Sequence, residues 1–130
     1  MSYSQNELDQ LAQRYTDAWN SRVPESVSAF HVQDSKIIIN NGDPFLGKSG
    51  VTEMAAGFIA DVPDLTLRCD GIRGAGTHVV YMWTFTGHHA QTGNPLDVQG
   101  WEEWNLDDQM MVTSSLGWFD AQDYDRQVAG

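Results

Sequence analysis

The chain has little cysteine, few basic residues and no long apolar run. Its only cysteine, Cys69, excludes a disulfide within the chain and is typical of a reducing compartment. No apolar stretch approaches the length of a membrane span, and the polar N-terminus lacks the apolar core of a secretion signal. We therefore predict a soluble, cytoplasmic protein that does not bind membranes.

Acidic residues outnumber basic residues by 18 to 7, which gives a formal net charge of −11 over 130 residues. Such a chain repels a phosphate backbone, so nucleic acid is excluded as a partner. The basic residues are also scattered, which disfavours an anionic ligand. No histidines, cysteines and carboxylates occur at metal-ligand spacing, so we expect no metal and no cofactor. The length and the ordinary apolar share predict one domain over residues 1–130.

The sequence does contain a long β-rich stretch, residues 77–119, which two turn signals divide into three antiparallel strands. Before it, the periodicity predicts a first helix opened by a capping box of Ser4 and Glu7 and a short helix from Pro24. The remaining predicted elements are a strand at 36–40, a helix capped by Ser49, a strand from Leu65, a loop at 71–76, and at most a frayed helical turn at 120–127. This order predicts an α+β fold, in which a long N-terminal helix and two shorter helices pack on a strongly curved, mainly antiparallel sheet around a cone-shaped cavity.

The middle strand of this stretch alternates between two faces. One face carries Leu96, Val98, Gly100, Glu102, Trp104 and Leu106. If the turn at 91–94 pairs Ala90 with Pro95, then Tyr81, His89 and the neighbouring aromatic residues join Glu102 on that face. The alternation therefore predicts an apolar wall that contains one carboxylate.

Glu102 is the leading candidate for chemistry, because burial raises the pKa of a carboxyl group and suits it to exchange protons near neutral pH. Alternatively, a helix residue such as Tyr15 forms a hydrogen bond to it, or it reaches solvent at the mouth of the cone. Tyr15 lies on the apolar stripe of the first helix, where it packs in the core or acts with Glu102. His89 and Asp120 are candidates for a second proton-transfer group, against the alternatives of an exposed turn histidine and a helix cap. Aromatic residues predicted to line a substrate pocket, or simply to fill the core, are Trp19, Phe58, Trp83, Phe85 and Trp104.

Five segments carry a resemblance to a known family. They are RYTDAWN at 14–20, HVQDSKIII at 31–39, FLGKSGV at 45–51, GWEEWNLDD at 100–108 and FDAQDYDRQV at 119–128. In their order and spacing the chain resembles the nuclear transport factor 2-like superfamily, within it the SnoaL-like polyketide cyclase and ketosteroid isomerase-like group. The resemblance implies a sheet wrapped around the first helix, an internal pocket and often a homodimer through the outer sheet face. It does not settle function, because this fold carries isomerases, cyclases, dehydratases and non-enzymatic binders.

The resemblance also implies roles for single residues. Tyr15 matches the oxyanion-binding tyrosine of ketosteroid isomerases, and Glu102 falls close to their protonated acid. Their general base has no counterpart, because Ile39 and Asn40 occupy that part of the first strand. Asp120 keeps the spacing to Gln127 that an acid–base aspartate of SnoaL-like cyclases has.

Two functions follow from these observations. The first is a cofactor-independent acid–base enzyme, an isomerase, cyclase or dehydratase/hydratase, that acts on a small, neutral, cyclic or otherwise apolar molecule. The second is a non-catalytic ligand-binding or dimerisation module. Val80, Met82 and Trp101 on the outer sheet face predict a homodimer interface there.

Overall fold

A computed structural model describes residues 2–130 and confirms the α+β fold. The helices are α1 (Gln5–Asn20), α2 (Pro24–Ser28), α3 (Gly47–Asp61) and α4 (Ala121–Ala129); the strands are β1 (Lys36–Ile39), β2 (Phe45–Leu46), β3 (Thr66–Ala75), β4 (His78–His88), β5 (Pro95–Leu106) and β6 (Val112–Phe119). The strands form one curved sheet in the order β2-β1-β6-β5-β4-β3. Every pair is antiparallel except β1 with β6, which is parallel. No helix within residues 2–130 has the length and apolarity needed to cross a membrane.

Helix α1 begins as predicted, with the Ser4 hydroxyl accepting from the Glu7 amide and the Glu7 carboxylate accepting from the Ser4 amide. Its predicted apolar stripe is buried against the sheet. At the end of the helix, the side-chain amide of Asn20 donates to the Leu67 carbonyl (2.9 Å) and accepts from the Leu67 N–H (2.7 Å). Because β3 is an edge strand, this pairing satisfies backbone groups that the sheet leaves open and fixes α1 across the inner face.

Three predicted boundaries were wrong. Helix α3 begins at Gly47 rather than after a Ser49 cap, because the carbonyls of Ser35 and Gln33 accept from its first two N–H groups. Residues 71–75 continue β3 instead of forming a loop, since a bulge between Cys69 and Gly71 restores pairing with β4. The tail is a helix of nine residues, which Asp120 caps.

The hairpin of β4 and β5 has the predicted faces but another register. Pro95 pairs with His88 instead of Ala90, so the strands are shifted by two residues. The Ala90 N–H donates instead to the Asp61 carbonyl (2.7 Å) at the end of α3, which removes Ala90 from the hairpin. A shift of two residues preserves the alternation, and Tyr81 therefore lies opposite Glu102 on the inner face.

Candidate functional site

A cavity of about 60 Å³ lies between the inner face of the sheet and helices α1 and α3. Its walls come from both helices and from all strands except β2: they are Trp19, Ile37, Ile39, Met54, Phe58, Leu67, Trp83, Phe85, Glu102, Gly117, Trp118 and Phe119. Among these lining residues, all within the described part of the chain, Glu102 is the only ionisable side chain. The cavity is therefore an aromatic and aliphatic space with one carboxyl group in its wall.

Three uncharged donors surround the Glu102 carboxylate, which is only 6% exposed. The Tyr15 hydroxyl donates to Oε2 at 2.6 Å. The Ser115 hydroxyl and the Trp104 indole N–H donate to Oε1 at 2.9 and 3.1 Å. Since a carboxylate offers roughly four acceptor positions, three donors leave it capacity for one more partner.

Strand alternation places these groups together. Glu102 and Trp104 are two residues apart on β5, and Ser115 lies directly opposite Trp104 on β6. Gly117 lies opposite Glu102 and keeps the space open, because an added Cβ would meet the Ile39 Cδ1 atom at 2.8 Å. The small residues of β6 thus make room for the carboxyl group and one of its donors.

Electrostatics suit the carboxyl group to proton transfer. Burial raises the pKa of Glu102 above its usual value of 4.5, and the hydrogen bonds from Tyr15, Trp104 and Ser115 oppose that rise. Burial also raises the pKa of Tyr15 well above 10.0, and the adjacent Glu102 charge raises it further. Tyr15 therefore remains a protonated donor, while Glu102 titrates closer to neutral pH than an exposed glutamate does.

Four of the five predicted pocket residues line the cavity: Trp19, Phe58, Trp83 and Phe85. Trp104 does not, which corrects that prediction. Its ring is fully buried, stacks on Tyr81 at 5.3 Å and is covered by Tyr15 at 4.9 Å. Because α1 lies directly over it, Trp104 supports Glu102 from behind instead of facing a ligand.

The two candidates for a second proton-transfer group lie away from the cavity. His89 lies in the turn after β4, where its Nδ1 atom accepts from the Gln91 N–H at 3.3 Å. Asp120 is exposed and accepts from the Asp123 N–H at 3.1 Å as the cap of α4. Neither residue lines the cavity, so neither is brought to the Glu102 carboxyl group.

Several residues of the site were not predicted. Ser115 and Phe119 lie on β6, whose run of small polar residues carries little hydrophobic signal. The alternation of positions 115, 117 and 119 would have placed them on one face, had the strand been read with the same period as β5. Ile39 also lines the cavity, at the part of the first strand where ketosteroid isomerases have their general base.

Comparisons with known proteins agree with this architecture. The family model described as a SnoaL-like domain matches residues 12–113. No curated protein matches the chain.

Many solved structures share the fold. A ketosteroid isomerase-like protein from Catenulispora acidiphila, crystallised with trimethylamine, is 16% identical, with a TM-score of 0.84 and 92% of each chain covered. A predicted SnoaL-like polyketide cyclase from Jannaschia sp. is 15% identical, with a TM-score of 0.85 over 100% of this chain and 98% of that one. TerC, crystallised with polyporic acid, is 16% identical, with a TM-score of 0.80 over 98% of this chain and 100% of that one.

Proposed function

Because the chain belongs to the SnoaL-like domain family, we propose that it is a small-molecule pocket protein in which Glu102 performs acid–base chemistry without a cofactor. The observation that carries this proposal is the position of Glu102: buried, at the wall of an apolar cavity, and held by three neutral donors. A desolvated carboxyl group with an open acceptor position can take a proton from a bound molecule and return it.

The placement of the other groups favours isomerisation over cyclisation and dehydration. No second acid or base lines the cavity in the described residues 2–130, so one group has to do both transfers. In such a shuttle, Glu102 accepts a proton from one atom of the substrate and delivers it to another atom. Cyclisation or dehydration by the same group remains compatible when the substrate or water supplies the second proton.

Tyr15 acts as a positioning residue in this scheme. Its hydroxyl points to Oε2 of Glu102, and the residue is not part of the cavity wall. This differs from the oxyanion-binding role that the resemblance implies. Together with Trp104 and Ser115, Tyr15 orients the carboxylate and stabilises the charge that forms when Glu102 loses its proton.

The ligand in this proposal is a small apolar or cyclic molecule. The aromatic walls favour such a molecule, and two structural neighbours were crystallised with small ligands, trimethylamine and polyporic acid. At 16% identity those neighbours share the fold with this chain. We place the protein in the cytoplasm, where the thiol of its single Cys69 is kept reduced.

The second candidate function is a non-catalytic ligand-binding or dimerisation module. It is favoured by the outer sheet face, where Met82, Trp101 and Leu116 are 36%, 43% and 38% exposed. The ring of Trp118, a residue that also borders the cavity, lies beside Trp101 there, with ring centroids 6.5 Å apart. An apolar patch of this kind suits a homodimer interface formed by the outer faces of two copies.

The test is a screen of small ring ketones and related compounds for binding and for exchange of carbon-bound hydrogen in heavy water. We expect Glu102→Gln to lower the exchange rate by about 100-fold or more, because general acid–base groups contribute on that order. Glu103→Gln is the matched control, since it removes the same charge from the other face of β5. Exchange that survives in Glu102→Gln would refute the acid–base role, and binding without exchange in the wild type would favour the binding module.

A further inference from the structure

The walls of the cavity contain a chain of inclined aromatic rings. The ring centroids of Trp19 and Phe58 are 6.4 Å apart at 73°, and those of Phe58 and Phe119 are 6.3 Å apart at 73°. Trp83 continues the chain, 6.3 Å from Phe119 at 55°. All four of these residues line the same cavity. Aromatic side chains that line a cavity can recognise alkylated ammonium groups through cation–π contacts.

The carboxyl group in this space has no positive partner. Its three donors, Tyr15, Trp104 and Ser115, are all uncharged. Within residues 2–130 no lysine, arginine or histidine lines the cavity or forms an ion pair with Glu102. Buried carboxylates are rare unless they are paired, so Glu102 offers a negative charge with which a cationic ligand could pair.

We infer that the cavity binds the cationic head group of an organic ammonium compound, with Glu102 as its counter-ion and the aromatic rings as its walls; this inference rests on the ligand site proposed above. The sequence predicted a neutral ligand; the inferred ligand has a positively charged group and an apolar part. The head group is positive and lies inside the cavity, and the remaining, apolar part extends through its opening.

The size of the cavity agrees with a small head group. A cavity of roughly 150 Å³ holds a benzene ring and one of roughly 10–15 Å³ holds a water molecule. The volume of about 60 Å³ lies between these two, so the enclosed space holds one end of a ligand and the rest extends through the opening. An inorganic cation is disfavoured, because it needs several oxygen ligands and the wall supplies one carboxylate.

The negative net charge of the protein and the deprotonation of Glu102 both favour the binding of a cation. A formal net charge of −11 attracts cations to the surface and repels anions. The three donors stabilise the ionised carboxylate, while burial raises its pKa. A bound cation adds to the donors, so binding drives deprotonation of Glu102, and affinity rises with pH through the titration of this group.

The test compares two ligands of the same shape, choline and its carbon isostere dimethylbutanol, in which a tert-butyl group replaces the trimethylammonium group. Binding to the full chain is measured by calorimetry and tryptophan fluorescence at constant ionic strength set with sodium. We expect choline to bind at least about tenfold more tightly, which corresponds to one charge-dependent contact of moderate strength. Calorimetry in buffers of different ionisation enthalpy should also show that protons are released when choline binds.

Three variants test which side chains cause the preference for choline. Glu102→Gln should remove the preference for choline, while Glu103→Gln, which changes the net charge equally, should keep it. Phe58→Leu retains apolar volume but removes one ring, and we expect it to weaken choline binding several-fold with little change for the isostere. Thermal unfolding of each variant confirms that the comparison is made on folded protein.

The outcomes distinguish failure of the cationic ligand from failure of the proposed pocket function. Equal or tighter binding of the isostere, or a choline preference that persists in Glu102→Gln, would overturn the cationic ligand and leave the proposed pocket function standing. Choline that fails to bind while neutral ring compounds bind would have the same meaning. If choline, the isostere and the ring compounds all fail to bind, the pocket function itself is refuted.

Discussion

Glu102 and Glu103 are neighbours on β5, yet the two faces of the sheet give them different surroundings. Glu102 points inward, is 6% exposed and receives hydrogen bonds from three neutral groups. Glu103 points outward, accepts from the Trp101 indole N–H at 3.2 Å and lies 3.6 Å from Nε2 of His78. The same side chain is thus desolvated on one face and solvated on the other.

The comparison shows how the two faces of one strand give two carboxyl groups different electrostatic surroundings. Water screens the charge of Glu103 and competes for its hydrogen bonds, so its interactions contribute little. Burial removes that screening from Glu102, and its charge then depends on the three donors and on any ligand in the cavity. We therefore expect side chains on the inner face to contribute more to the stability of the fold than side chains on the outer face.

The largest difference is expected between the two tryptophans that flank these glutamates. Trp104→Ala should reduce the free energy of unfolding by about 3–5 kcal/mol, because it removes a fully buried ring from the core and one donor from Glu102. Trp101→Ala, at a residue that is 43% exposed, should cost about 1 kcal/mol or less. Denaturant unfolding of both variants measures the difference, and similar losses would contradict the division between the faces.

His31 is a second buried ionisable group, and its burial makes the free energy of unfolding depend on pH. Its ring is fully buried, its Nδ1 atom lies 2.9 Å from the Ser35 hydroxyl, and no atom of residues 2–130 forms a hydrogen bond with its Nε2 atom. Burial, together with the charge of Lys48, lowers the pKa of His31 from 6.5 to about 4. The folded protein therefore binds fewer protons there than the unfolded chain does between these pH values.

Because the unfolded chain binds more protons at His31, the free energy of unfolding falls as the pH is lowered. The stability that neutral His31 contributes is present above pH 6.5 and is lost as the pH falls toward about 4. At about 1.4 kcal/mol for each pKa unit, the loss is roughly 3 kcal/mol. His31→Asn, which cannot titrate, should flatten the pH profile of the unfolding free energy in this window. An equally steep profile in His31→Asn would assign the acid sensitivity to other groups.

A smaller effect is expected from the hydroxyl group of Tyr15. Tyr15→Phe removes the 2.6 Å hydrogen bond to Glu102 and should cost about 1–3 kcal/mol, because the acceptor is buried. It should also raise the pKa of Glu102 further, since that hydrogen bond lowers it. Trp101→Phe is the matched change on the outer face, where an indole N–H donor is lost from Glu103. Unfolding experiments should show a clearly smaller loss of unfolding free energy for Trp101→Phe than for Tyr15→Phe. Equal losses would contradict the difference between the two faces of the sheet.

Features of the fold and the site that depend on residues close together in the sequence were predictable, and features that depend on distant residues were not. The alternation of β5 was enough to place Glu102 on the inner face, and an error of two residues in the hairpin register did not alter that face. The helical stripe was enough to bury Tyr15. These are local patterns, and the family resemblance supplied the way in which the elements pack.

The rest of the site depends on contacts between distant parts of the chain. Ile39 lies beside Glu102 in the cavity wall only because β1 pairs with β6, a parallel pairing that no local pattern indicates, whereas Gly117 and Phe119 are placed there by the pairing of β6 with β5. The burial of His31 also depends on a distant contact, since its backbone bridges to Val112 on β6. For the same reason Trp104 was assigned to the pocket, although α1 covers it.

The central claim is that Glu102 is a desolvated carboxyl group at the cavity wall. Its pKa can be measured directly by NMR on protein with isotope-labelled glutamate, with Glu102→Gln used to assign the signal. We predict a midpoint clearly above the usual value of 4.5 in the free protein and a fall of that midpoint when an ammonium compound binds. A midpoint at or below 4.5 in the free protein would mean that burial does not outweigh the three hydrogen bonds to Glu102, and the proposed acid–base chemistry near neutral pH would then be wrong.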